Sequence, residues 1–211
     1  MSAFVLALGL VVSPQLPGDA MLEQYGQRLT PEARVYQAVA PSVVRVELWG
    51  RLGVEAKVGG RSFDTSSFFK MSSGTGVVIS EDGLILTNTH VITPSSPDVF
   101  DEEGLRIRVI FSSEFSDSMD QIEFDANRLK DDPQWDLALL QIESDLSFKA
   151  APLGNSDDLL IGEKVVVLGA PFGGSLSLSS GVLSGLDRQV TMEIQEDEHK
   201  TFQGLIQIDA A

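Results

Sequence analysis

His90 is the side chain in this sequence best suited to moving protons near neutral pH. It lies in GTGVVISEDGLILTNTHVI, where a strand, a tight turn at Glu81–Asp82–Gly83 and a second strand would carry Thr87–His90 to the end of a hairpin. An imidazole at a strand end, among small polar neighbours, can reach a cleft and act as a general base. It can equally do no more than satisfy a buried hydrogen bond. Asp136 is the second candidate, in KDDPQWDLALLQIE. It opens an apolar run, Leu137 to Ile142, that belongs in a core, so its carboxylate would be partly buried and in need of a partner. Histidine is one such partner, because a carboxylate fixes the ring tautomer and stabilises imidazolium where a hydroxyl nucleophile is activated. The other reading is an Asp that caps the strand start through backbone amides, with Asp131 and Asp132 as solvated loop charges.

Composition narrows the rest. The 211 residues include no cysteine, so disulfides, thiolate nucleophiles and thiolate metal sites are excluded. With His90 and His199 the only imidazoles, a His-rich metal site is excluded too. Fifteen Lys and Arg against thirty-one Asp and Glu leave a formal net charge of −16, a surface that repels phosphate backbones; no nucleic-acid partner is expected. The acidic clusters Asp101–Glu102–Glu103, Asp131–Asp132, Asp157–Asp158 and Glu196–Asp197–Glu198 lack the alternating ligand spacing of a calcium loop and read as solvated charge. His199, inside EDEHK, is assigned no role. Pro171–Gly174 has no following Lys-Ser/Thr and opens no helix, so it is not a phosphate cradle.

The elements that would position His90 and Asp136 are short strands. Helical periodicity is confined to TPEARVYQAVAP (30–41), with Thr30 as cap and Pro31 at the first position. After it come SVVRVELWG (42–50), GTGVVIS (74–80), GLILTN (83–88), RIRVIF (106–111), QIEFDAN (121–127) and DLALLQIE (136–143). EKVVVLG (163–169), GVLSGLDRQV (181–190) and GLIQI (204–208) follow. Such runs predict an all-β chain built as an antiparallel barrel or sandwich. Residues 51–73 read as a long polar connection. The predicted division is residues 1–20, a possible signal peptide or apolar N-terminal segment; 21–41, the helix and its lead-in; 42–150, a first barrel; and 151–211, the first part of a second. The apolar run Ala3–Val12 is shorter than the roughly 20 residues a bilayer span requires. It fits a secretory h-region, with Gly18 and Ala20 as small residues near a cleavage point, though without a basic lead-in. No membrane span is expected, and export to the periplasm or cell envelope is.

The order GTGVVIS, TNTHVI, DLALLQIE, LGNSDDLLIGEKVVVLGAPFGG, GVLSGLDR and IQIDAA resembles the HtrA/DegP-like serine proteases of the trypsin fold, from about Pro41 to the last residue. The resemblance implies a double antiparallel β-barrel with an active site between the barrels, the first barrel complete here and the second partial. It implies His90 as general base and Asp136 as the carboxylate that orients it, with no metal or organic cofactor. Thr89 stands where the family usually has a second Asn. The 51–73 connection takes the place of the family's regulatory loop. Implied partners are unfolded or misfolded polypeptides, with assembly as a homotrimer.

One departure is large. The family's Gly-Asn-Ser-Gly-Gly type loop, which holds the nucleophile and the oxyanion-hole amides, is not among these residues. Gly154–Asn155–Ser156 imitates its first half, but Asp157 and Asp158 follow where glycines are needed, and their charges would oppose an oxyanion. Ser179 and Ser180 are no better placed. The expectation is therefore an N-terminal fragment of a serine endopeptidase, inactive by itself. The alternative is a non-catalytic homologue that binds polypeptides or a partner chain.

Overall fold

The computed structural model describes residues 26–52, 55–58, 61–64, 67–94, 104–112, 122–170, 175–195 and 198–210. The possible signal segment, the acidic cluster at 101–103 and the Gly-rich 171–174 lie outside them. The described chain is mostly β and forms two compact units. One comprises Val39–Ala151 with Gly169–Leu176, the other the residues up to Ala38 with Pro152–Leu168 and Ser177–Ala211.

The first unit is a closed barrel. Its strands are β1 (Val43–Leu52), β4 (Ser67–Val78), β5 (Leu84–Thr87), β6 (Leu105–Phe111), β7 (Ile122–Asp132) and β8 (Leu137–Ile142), in the order β1-β4-β5-β8-β7-β6. Pairing of β1 with β6, Leu48 opposite Ile107 and Arg45 opposite Ile110, closes the ring and leaves no free edge. Alternation does the sorting. Val44, Val46, Val109, Ala138, Leu140 and Ile142 are buried inside with Val78, Ile85 and Phe148. Phe111 stacks on Phe148 at 5.3 Å, and Phe124 meets both edge-on at 5.8 and 5.3 Å. On β1 the residues between the core positions are polar. Glu47 is buried there, held by Arg45 Nε at 3.1 Å, Lys70 Nζ at 3.3 Å and the Trp49 Nε1 donor at 2.9 Å, which meets the requirement that a buried charge be paired.

Several strand boundaries differ from the sequence expectation, and pairing is the cause. The polar 51–73 connection is not all loop: it holds a small hairpin, β2 (Glu55–Val58) with β3 (Arg61–Asp64), and its last part already belongs to β4. Leu52 pairs with Ser67 and Trp49 with Lys70, so β1 recruits the polar stretch by ladder hydrogen bonds rather than by side-chain burial. Strand β7 runs on through a polar end to Asp132, because Arg128–Asp132 pair with Leu137–Leu140 of β8. Asp131 and Asp132 are therefore strand residues rather than loop charges. Asp136 does not open β8; it lies in the turn before it.

The tight turn at Glu81–Asp82–Gly83 forms as expected. Gly83 has φ +90°, which only glycine adopts readily, and an added Cβ would meet the Phe148 ring at 3.1 Å. Gly76 is constrained differently: a Cβ there would lie 2.7 Å from Val46, 2.8 Å from Ile85 and 3.2 Å from Val44, all core side chains.

The second unit carries a three-stranded sheet, β9 (Lys164–Gly169), β10 (Ser177–Gln195) and β11 (Glu198–Ile208), ordered β11-β10-β9. Strands β10 and β11 extend well beyond 181–190 and 204–208, because the alternating polar and β-branched residues around Thr191 and Thr201 pair as a two-stranded ribbon, their hydroxyls 2.9 Å apart. Glu198 and His199 are thus backbone partners of Gln195 and Glu193. The helix α1 (Pro31–Val39) starts as its cap residue dictates, with the Ala33 N–H donating to Thr30 Oγ1 at 3.2 Å, and passes into a 3-10 turn at Ala40–Ser42. Its Glu32 accepts from Lys164 Nζ at 2.8 Å. Chiefly through that hydrogen bond, the Glu32 carboxyl is lowered to about 2. No helix among the described residues is long and apolar enough to cross a membrane.

Two measurements follow. Gly76→Ala should destabilise the barrel by about 1–3 kcal/mol through overpacking, read as a lower denaturant midpoint; an unchanged midpoint contradicts the close approach of β1 and β5. A carboxyl held lower in the folded than in the unfolded state stabilises above its ordinary value and stops doing so as pH falls through its folded value. The Glu32 contribution should therefore be intact above pH 4.5 and disappear towards pH 2. Glu32→Gln should flatten that part of the melting-temperature profile, and an identical acid limb in both proteins counts against the Lys164 contact.

Candidate active site

The site begins where β5 ends. Thr87 is fully buried, and its hydroxyl donates to the Thr75 carbonyl of β4 at 2.8 Å. Asn88 is still extended (φ −90°, ψ 144°), and the chain then tightens into a 3-10 turn, Thr89–Val91. The turn forms because Val91 and Ile92 are driven into the barrel core, at 4% and 3% exposure. The residue before them is thereby turned outward: the His90 side chain is 60% exposed.

Asp136 arrives from the other hairpin. Strands β7 and β8 are joined by Pro133–Asp136, a turn that Asp132 closes by accepting the Gln134 N–H on its side chain (3.0 Å) and the Trp135 N–H on its carbonyl (3.2 Å). Asp136 leaves the turn at φ +55°, in the left-handed region that Asp tolerates better than most residues. Strand β8 pairs with β5, Ala138 opposite Thr87, so the two strand ends and their loops lie side by side.

Both oxygens of Asp136 meet His90. Oδ1 accepts the His90 backbone N–H at 2.9 Å, and Oδ2 lies 2.6 Å from the imidazole Nδ1. A carboxylate only accepts, so its partner assigns the proton to Nδ1 and leaves the lone pair on Nε2. The ring is thus fixed in one tautomer with its basic nitrogen available. Of the two readings of each residue, the structure brings about the joined one: His90 is not a core histidine, and Asp136 does not merely cap a strand.

The sequence reading overlooked the supports of this pair. Asn88 Nδ2 donates to the Asp136 carbonyl at 2.9 Å, and the Thr89 N–H donates to the same oxygen at 3.2 Å. The Thr89 hydroxyl donates to the Leu137 carbonyl at 2.7 Å. The available signal was the run of small polar residues before His90, which seemed only to favour a strand end. The discounted serines belong to the second unit. Ser156 follows Asn155 in a turn closed by the Asp157 N–H on Asn155 Oδ1 at 3.1 Å, and Ser179 and Ser180 are in β10. Among the described residues no group of three or more His, Asp or Glu could hold a metal ion.

Residues 74–211, which include both His90 and Asp136, match the model of the trypsin-like peptidase domain. The chain belongs to the trypsin-like peptidases, as an HtrA/DegP-like member. It is 35% identical to serine protease HTRA4 of Homo sapiens over 158 residues, covering 74% of this chain and 27% of that protein. It is 28% identical to the periplasmic serine endoprotease DegP of Escherichia coli K12, across 100% of this chain and 47% of DegP. A crystal structure of Deg5 superposes with a TM-score of 0.61 at 27% identity, over 89% of this chain and 77% of that one. The chain thus spans about a quarter of HTRA4 and about half of DegP, and the trypsin-like fold accounts for its closed barrel and second sheet.

The Thr89 hydroxyl ties the two loops together through the Leu137 carbonyl, at 2.7 Å. Thr89→Val should leave the Leu137 carbonyl without that donor and cost about 1 kcal/mol in a denaturant titration. A cost indistinguishable from zero removes the hydroxyl from the list of supports.

Proposed function

We propose that His90 and Asp136 are the base and the orienting carboxylate of a serine endopeptidase that works by acyl transfer. The supporting observation is the two-point contact of the Asp136 carboxylate with His90, which places a proton on Nδ1 and, in the neutral ring, the lone pair on Nε2. A serine hydroxyl placed against Nε2 would lose its proton to the ring as it attacks a peptide carbonyl. The imidazolium so formed is stabilised by Asp136, and then delivers the proton to the leaving amine. A Gly-Asn-Ser-Gly-Gly type loop, which would supply the nucleophile and the oxyanion-hole amides, is not among these 211 residues. The second reading is a homologue that binds polypeptides or a partner chain without cutting.

The relatives' names support the wider setting. DegP is a periplasmic endoprotease, and export of this chain to the periplasm or cell envelope is proposed on that likeness and on the apolar run near its start. Unfolded or misfolded polypeptides are the proposed substrates, and a homotrimer the proposed assembly. The net charge of −16 disfavours nucleic acid.

The test supplies a segment with that loop. Residues 1–211, continued by a downstream segment carrying the Gly-Asn-Ser-Gly-Gly loop of a relative, should degrade casein. His90→Ala should lower the rate by up to about 10⁶ and Asp136→Asn by about 10⁴, through the wrong tautomer. Casein binding without cleavage by the folded, completed protein decides for the second reading.

A further inference from the structure

Asn88 carries a buried side chain with no proton chemistry of its own, and its amide donor is directed at the one residue that holds His90. The residue is 7% exposed, among the few buried polar side chains of the described chain. Burying an amide is unfavourable unless it is hydrogen-bonded. Its Nδ2 bond to the Asp136 carbonyl, 2.9 Å long, meets that need. The Thr89 N–H takes the same oxygen at 3.2 Å, so both lone pairs of the carbonyl are engaged. Asn88 is itself held between fixed points: Thr87 is tied to Thr75 across the sheet, and the Asn88 carbonyl accepts the Val91 N–H at 3.2 Å.

We infer that Asn88 is a positioning residue that fixes the Asp136 backbone and, through it, the tautomer and orientation of the His90 ring. Asp136 occupies a left-handed conformation, φ +55°, which a non-glycine residue keeps only where its surroundings impose it. The imposing groups are the donors on its carbonyl. With the Asp136 backbone torsions fixed, only two side-chain torsions place the carboxylate, and they are set by its contacts with the His90 N–H and Nδ1. Without the Asn88 donor, the backbone can relax towards negative φ, carrying the carboxylate out of line with the ring. The inference rests on the protease reading for its meaning in catalysis, but not for its physical content.

The experiment is NMR on the 211-residue chain, where no nucleophile is needed. In the wild type, the Asn88 side-chain nitrogen should show scalar coupling across the hydrogen bond to the Asp136 carbonyl carbon. His90 should show a slowly exchanging Nδ1–H resonance and a protonated-type nitrogen shift at Nδ1. In Asn88→Leu, similar in size but without a donor, that resonance should broaden or vanish and the nitrogen shifts move towards a mixture of tautomers. A folded Asn88→Leu with an unaltered His90 signature overturns the inference. If Asn88→Leu does not fold, the wild type is warmed below its melting transition. The Asn88 coupling and the His90 Nδ1–H signal should then fade together, and loss of one with retention of the other overturns the inference. A completed protein that fails to cut while these signatures stand defeats the protease reading alone.

Discussion

The pairing of β5 with β8 is the constraint on which the site depends. These strands are distant in sequence, and each contributes little by itself: β5 is four residues, β8 six. Ladder hydrogen bonds from Leu84–Gln141 to Thr87–Ala138 place their ends in register, and a slip of one residue would turn every side chain to the opposite face. The register is secured by burial, since Ile85, Thr87, Ala138, Leu140 and Ile142 all point inward and are almost inaccessible to solvent. His90 and Asp136 each follow or precede this pairing by a few residues, so the precision of their contact is borrowed from the core.

The loops beyond the strands have the opposite character. Their fixed points are polar and mutual: Asn88 and the Thr89 N–H on the Asp136 carbonyl, Thr89 on Leu137, Asp136 on the His90 N–H and ring. Each group satisfies one on the other loop, so the two form a joined unit in which neither conformation is set alone. Such a network is cooperative: losing one bond leaves a partner unsatisfied and loosens the rest. Mounting a partly exposed imidazole on this arrangement keeps Nε2 accessible while Nδ1 is held, the combination a proton-transfer base requires.

Much of this was legible in the sequence, for identifiable reasons. Alternation in SVVRVELWG marks inward and outward faces, the apolar run of DLALLQIE marks a strand that belongs in the core, and the turn at Glu81–Asp82–Gly83 is announced by a glycine whose φ is +90°. His90 and Asp136 could be singled out because few residue types do their chemistry. The errors arose where pairing rather than burial makes a strand. The ends of β4, β7, β10 and β11 mix charged and polar residues with scattered apolar ones, and they become strands because a neighbour offers a ladder. Extending β7 to Asp132 is what moved Asp136 out of β8 and into a turn.

Asn88 was illegible for a related reason. Its neighbours Thr87 and Thr89 are equally small and polar, and nothing in TNTH distinguishes a residue facing solvent from one whose amide is spent on a carbonyl 48 positions away. Only the register of two strands supplies that carbonyl. A polar residue at a strand end therefore acquires its role from a non-local pairing, whereas a core valine announces its role through its own hydrophobicity. In this chain the chemistry-bearing residues could be read from their type, but the residue that holds them in line could be found only from the hydrogen bonds of the folded barrel.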